Sequence, residues 1–184
     1  MIKILVDGLP TGVGGIGTAI FNLLKNVDLK EYSITFLLTY DSYYVETIIK
    51  YKFNYIKIAP FGKKPITYAW QLYKHLKSQR YDYIWINNTS KVNLLLPLLA
   101  KSINNARIVW HAHGVDCEYS GIKRRIVKII EYLNESYFYK LVDTYIACSK
   151  QVASCCYKNI GLRYVTIIYN PIDINKFLFN YSDR

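Results

Sequence analysis

Ile2-Lys3-Ile4-Leu5-Val6-Asp7 is followed by Gly8-Leu9-Pro10-Thr11 and then by Gly12-Val13-Gly14-Gly15-Ile16-Gly17. The first stretch is a short apolar run ended by a turn, the pattern of a buried strand. The last is a glycine turn that opens onto Thr18-Ala19-Ile20-Phe21-Asn22-Leu23-Leu24, so a helix is expected from about Gly15 to Asn26. Gly12 to Gly17 matches GxGxxG literally. Glycines in such a turn let backbone approach a diphosphate, while the helix N-terminus supplies N–H donors and the positive end of its dipole. The spacing is unusual, because in the dinucleotide fingerprint the first glycine directly follows the strand, and here Gly8 to Thr11 intervene. Three readings stay open. One is a nicotinamide site with Asp41, just past the second strand, as its ribose-binding acid; another is a phosphate-approaching loop of a different kind. The third is a turn whose glycines serve packing alone.

Outward from this unit, short β-branched runs alternate with stretches of helical length. Further strands are expected at Ser33 to Tyr40, Tyr55 to Ala59, Tyr83 to Asn87, Arg107 to His111, Thr144 to Cys148 and Val165 to Ile168. Helices are expected at Tyr43 to Tyr51, from beyond Pro65 to about Gln79, and near Lys91 to Ser102, Gly121 to Leu141 and Lys150 to Lys158. Such alternation specifies an α/β fold: a Rossmann-like parallel sheet with helices on both faces. Residues 1–168 read as one domain. From Tyr169 to Arg184 the chain has no periodicity and reads as the start of a linker.

Composition limits the function classes. In 184 residues, 52% hydrophobic and 20% charged content describe a globular domain. Apolar runs such as Val92 to Ala100 fall well short of the roughly 20 residues of a membrane-spanning helix. The opening residues lack a basic leader and a cleavage site, so a cytoplasmic location is expected. Cys117, Cys148, Cys155 and Cys156 show neither zinc-site spacing nor disulfide density, and read as reduced structural thiols. A net charge of +11 calls for an anionic partner, with nucleotide diphosphates, anionic lipid and nucleic acid as candidates. The scattered basic residues form no nucleic-acid motif, so nucleic acid is not expected.

Two later strands end in polar side chains, and strand carboxyl ends are where open α/β sheets bind ligands. Arg107-Ile108-Val109-Trp110-His111-Ala112-His113-Gly114 places His111 and His113 two residues apart. No carboxylate or thiol sits at a familiar ligand spacing, so no metal is expected; neutral imidazoles can instead exchange hydrogen bonds with sugar hydroxyls. A strand-end histidine is commonly structural, but the glycine loop in the same sheet favours a functional His111. Tyr83-Ile84-Trp85-Ile86-Asn87-Asn88-Thr89-Ser90 offers Asn88 or Thr89 as a helix cap and Asn87 as a contact at the same rim. Ile122, Ile126, Ile129, Ile130 and Leu133 recur at helical spacing among Lys123, Arg124, Arg125 and Lys128. This helix either lies on an anionic membrane through those four basic residues or faces the core with a solvated basic side.

Four segments, in order, resemble the family 4 glycosyltransferases (the glycosyl transferases group 1 set). They are Gly14-Gly15-Ile16-Gly17 with the helix after it, Val109 to Gly114 in the His-x-His form of capsular and exopolysaccharide enzymes, Tyr145-Ile146-Ala147-Cys148-Ser149-Lys150, and Ile167 to Asp173 with Phe177, where Pro171 stands for the usual glycine. The resemblance implies the N-terminal, acceptor-side half of a GT-B fold in a retaining, metal-independent enzyme without a cofactor. By the same analogy Gly14, Gly15, Gly17 and Thr18 contact the diphosphate or sugar of a nucleotide-sugar donor. His111 meets the donor sugar or the charge developing at the anomeric centre, while Asn87 and His113 bind a growing, lipid-linked glycan acceptor. The nucleotide site and a Glu-x7-Glu motif belong to a C-terminal half, which this chain does not include, so the chain alone is expected to be inactive. A split gene product, a relic and a non-catalytic Rossmann-like binding module remain alternatives.

Overall fold

The structure, a computed structural model, describes residues 1–88, 90–114 and 121–174. Seven strands are β1 (Ile2–Asp7), β2 (Tyr32–Leu38), β3 (Asn54–Lys57), β4 (Tyr83–Ile86), β5 (Arg107–Ala112), β6 (Thr144–Ala147) and β7 (Val165–Ile167). Helices α1 (Gly15–Leu24), α2 (Val45–Lys50), α3 (Pro65–Ser78), α4 (Leu95–Asn104), α5 (Gly121–Leu141) and α6 (Lys150–Cys156) connect them. Every pairing is parallel, and the strand order is β3-β2-β1-β4-β5-β6-β7. The expected α/β sheet is therefore present. Its order reverses direction between β1 and β4, which opens a crevice at their carboxyl ends.

Two apolar layers hold the sheet. Val6, Ile34 and Phe36 pack with Ile20, Phe21 and Leu24 of α1 and with Ile48 of α2. On the opposite face Leu5, Ile84, Ile108 and Trp110 pack with Leu72 and Leu76 of α3, Ala100 of α4, Phe138 of α5 and Val152 of α6. Strand alternation then decides the histidine question: with Ile108, Trp110 and Ala112 committed to the α3–α6 layer, Val109 and His111 point to the α1 side.

Several boundaries differ from expectation. α4 starts at Leu95 rather than near Lys91, because the Asn93 Oδ1 accepts the Leu95 N–H at 3.1 Å and Lys91 is turned to Glu131. Asn88 does not cap that helix, and Thr89 lies outside the described residues, as do Cys117 and Phe177. The alternative of a core-facing α5 fails over its first half. Ile122, Ile126 and Ile129 are exposed, at 76%, 52% and 60%, and within α5 only Phe138 and Leu141 are buried. Anchoring begins at Glu131, which accepts the Lys91 N–H, and at Asn134, which donates to the carbonyls of Lys91 and Val92.

Candidate functional site

The site begins where β1 ends. Gly8 has φ +90, and a Cβ there would lie 2.4 Å from the Asn87 carbonyl oxygen. Glycine is thus required for the ends of β1 and β4 to meet. Across that contact the Asn87 N–H donates to the Asp7 carbonyl at 2.9 Å, and the Asn87 Nδ2 donates to the same oxygen at 3.2 Å. Asp7 itself closes β1 beside this joint, and burial lifts its carboxyl to about 6 despite a hydrogen bond from Gly8.

The glycine loop divides into two functions. At Gly17 a Cβ would come within 2.3 Å of the Tyr44 ring, so this glycine serves packing. The Tyr44 hydroxyl in turn accepts the Gly14 N–H at 3.0 Å and donates to the Gly14 carbonyl at 3.1 Å, fixing the turn. At Gly12, Gly14 and Gly15 a Cβ would meet nothing within 4 Å. Their lack of side chains therefore leaves open space over the start of α1, whose N-terminus carries no side-chain cap and no acidic residue in its first turn. Thr18 is exposed there with its hydroxyl on the Gly14 carbonyl at 3.1 Å. Uncapped N–H groups and the dipole end suit an anion. Asp41, the acid a nicotinamide site would need, is exposed and paired with Lys57.

The two histidines are placed differently. His111 is 1% exposed, its ring 6.0 Å from Trp85 and 3.9 Å from His113 between centroids, and neither ring nitrogen has a hydrogen bond in the protein. Burial, with His113 adding to it, holds it neutral at about 3. His113 stands half-buried at the rim above it, its Nε2 3.0 Å from the Asn87 Oδ1 and its Nδ1 3.2 Å from the Asn170 Oδ1. Burial also lowers its pKa, so it too is neutral near pH 7. Asn170 belongs to a stretch that runs back from β7 to α1, where Asn22 donates to the Pro171 carbonyl at 2.9 Å and Lys25 pairs with Asp173 at 3.0 Å. The thiols of Cys148 and Cys156 bond the carbonyls of His113 and Gly114 at 3.4 and 3.3 Å, and burial pushes both thiols up, Cys156 to about 11.

Of the residues singled out in the sequence, Asn87 and His113 are in direct contact, His111 lies beneath them, and Gly14, Gly15, Gly17 and Thr18 stand at the same carboxyl edge. β1 and β5 flank β4, so the ends of the strands that lead into the loop and into the histidines lie roughly 10 Å apart, two strand spacings. Lys123, Arg124, Arg125 and Lys128 are exposed on α5 and belong to another surface. Asp7, Tyr44 and Asn170 went unnoticed as site residues. Only Asp7 carried a signal, an acid ending the strand before the glycine turn. A shallow hollow lined by Ile2, Tyr81, Asp82 and Arg107 sits at the amino edge, away from every group described above.

Comparison with known proteins agrees with this architecture. The model of Glycosyltransferase Family 4 matches residues 13–176. Anabaena HepE in complex with UDP-glucose is similar over 100% of this chain and 48% of its own, with 16% identity and a TM-score of 0.71. A glycosyltransferase from Rickettsia africae is similar over 96% and 45%, with 17% identity and a TM-score of 0.65. The lipopolysaccharide outer core galactosyltransferase WaaB is similar over 95% and 47%, with 13% identity and a TM-score of 0.62. The chain thus spans about half the length of these structures and shares the fold of their matched half. No curated protein matches it.

Proposed function

The chain belongs to Glycosyltransferase Family 4, and from that premise we propose that it is the acceptor-side half of a GT-B enzyme. In this proposal the enzyme moves a sugar from a nucleotide-sugar to a lipid-linked surface-polysaccharide acceptor, with retention and without a metal. The observation that carries the proposal is the convergence on one sheet edge of an uncapped helix N-terminus behind open glycines with the His113–Asn87 pair. An anion is met by the N–H groups of Gly15 and the rest of the first turn of α1, with Thr18 beside them. Neutral sugar hydroxyls are met by His113, which Asn87 holds in place from below. His111, neutral and packed under His113, acts as the floor of the sugar site, and donor contact by His111 itself requires the ring above it to move. HepE was captured with UDP-glucose and WaaB is a galactosyltransferase of the lipopolysaccharide core, which supports this class of donor and acceptor. The nucleotide would be held by a second half facing this edge across a cleft, with the linker starting near Tyr169. Mixing the chain with the donor-binding half of a family member and assaying transfer from a panel of nucleotide-sugars tests the proposal. Transfer that requires both halves supports it; micromolar NAD binding with no transfer by any mixture overturns it.

A membrane-bound acceptor requires work at a membrane surface, and the exposure of Ile122, Ile126 and Ile129 beside Lys123, Arg124, Arg125 and Lys128 supports that setting. Among the described residues no helix is long and apolar enough to cross a membrane. On α3, Ile66, Trp70 and Tyr73 form a second exposed stripe, with Lys74 over the Trp70 ring at 5.2 Å and Lys77 over Tyr73 at 5.6 Å. Each basic side chain near an anionic bilayer contributes about 1 kcal/mol, within a Debye length. Cosedimentation with anionic vesicles, weakened by salt and by changing the four α5 basic residues to Gln, is the expected result. No binding to those vesicles removes the membrane from the proposal.

A further inference from the structure

His113 is held by two asparagines, and only one of them can choose how it is held. The Asn87 side chain is 1% exposed, and its Nδ2 faces two carbonyl oxygens, that of Asp7 at 3.2 Å and that of Trp85 at 3.4 Å. Turning the amide over would set its Oδ1 against both oxygens in a place without water, so the amide has one orientation. Its Oδ1 then faces the His113 Nε2 at 3.0 Å. An amide oxygen only accepts, so Nε2 carries the hydrogen. A neutral imidazole has one N–H, and Nδ1 is left with its lone pair. The ring is kept neutral by its half-buried position, which outweighs the opposing hydrogen bond to Asn170, and the His111 ring lies tilted 3.9 Å below it. Nδ1 meets Asn170, whose exposed amide is free to turn its Nδ2 toward it.

We infer that Asn87 is a positioning residue that fixes His113 in the Nε2–H tautomer, so that Nδ1 stands at the rim as an acceptor for one sugar hydroxyl, a place that Asn170 fills until the sugar arrives. The fixed tautomer follows from the Asn87 hydrogen bonds on a neutral ring; its use by a sugar rests on the glycosyl-transfer proposal. The chemistry at the two ends of the edge is thereby divided. A lone pair repels phosphate and carboxylate oxygens and welcomes an O–H, whereas the uncapped N–H groups of α1 favour an anionic oxygen. A nucleotide-sugar lying across the edge has one orientation that satisfies both, with diphosphate toward Gly14 and Gly15 and sugar toward His113.

The chain has only three histidines, His75, His111 and His113, so long-range ¹⁵N–¹H correlation spectra of its imidazoles resolve each ring. At neutral pH the His113 Nδ1 should resonate as an unprotonated nitrogen and Nε2 as a protonated one. Asn170→Ala should preserve that pattern, because Asn170 follows the tautomer and does not set it. Asn87→Leu should lose it to a mixture of tautomers. A protonated Nδ1 in the unaltered protein overturns the inference even if Asn87→Leu does not fold, and so does an unchanged pattern in a folded Asn87→Leu. Adding UDP-glucose should shift the Nδ1 resonance, and UDP alone should not. Equal shifts from both would overturn the sugar-hydroxyl assignment while leaving the tautomer and the transfer proposal standing.

Discussion

At the carboxyl end of β1 the chain leaves no room for a single added methyl group, whereas the first ten residues of α5 hold three isoleucines that stay more than half exposed. Gly8 is pressed against the Asn87 backbone and Gly17 against the Tyr44 ring. Both places look ordinary in sequence, a glycine turn and an amphipathic helix, and the two differ only in what the rest of the chain brings to them. Where β1, β4, α1 and the 170–173 stretch converge, hydrogen bonds fix every element of the edge. Ahead of Glu131, α5 has no such partners among the described residues, and its apolar side chains remain for a surface outside this domain. Rigid placement marks the region proposed to do chemistry, and exposed apolar stripes mark the region proposed to dock.

The largest expected effect is at Gly8. Gly8→Ala adds a strained positive φ to a contact with backbone that cannot swing away, and should cost about 3–5 kcal/mol in denaturant unfolding. A cost under about 1 kcal/mol would show that the β1–β4 joint is loose. Gly17→Ala meets a side chain rather than backbone. It should displace the Tyr44 ring, break its two bonds to Gly14 and cost about 2–3 kcal/mol. Tyr44→Phe, which removes the bonds and keeps the ring, should show only part of that cost.

Asp7 gives a pH-dependent effect of opposite sign. Its carboxyl is raised in the folded protein to about 6 by burial, so its contribution to stability is full below pH 4 and is lost as pH rises through 6. Tyr68 of α3 is the titratable group that faces it. Asp7→Asn should therefore be more stable than the unaltered protein by about 1–2 kcal/mol at pH 8, and no more stable at pH 4. A stabilisation that does not change with pH would mean that the carboxyl is already solvated. The smallest effect belongs to the other region: Ile126→Ser should change stability by no more than about 0.5 kcal/mol while weakening binding to anionic vesicles. A loss of several kcal/mol would place Ile126 in a core after all.

The parallel α/β sheet was legible because strand and helix periods alternate along the whole chain and the glycine turn follows the first strand. The carboxyl edge was legible too, since parallel strands bring every strand-end motif to one side. The depth of each histidine was not. His111 and His113 have the same residue parity and the same local pattern, and only the place of each ring, His111 beneath His113 and His113 under the Asn87–Asn170 bridge, separates a buried imidazole from one at the rim. The direction of α5 was likewise hidden, because a helical stripe of isoleucines states that a face is apolar and leaves open what will cover it. Tyr44 had no signal at all: its bond to Gly14 joins residues 30 positions apart in a tyrosine-rich chain.

Whether the glycine loop and the His113–Asn87 pair face one nucleotide-sugar across the carboxyl edge can be read by titrating the ¹⁵N-labelled chain with UDP-glucose and mapping the amide shifts. Concurrent shifts are expected at Gly14, Gly15 and Ile16 and at Asn87, His113 and Gly114, with one shared binding curve and α5 unmoved. Shifts confined to the hollow at the amino edge around Tyr81 and Arg107, or separate curves for the loop and for His113, would contradict it.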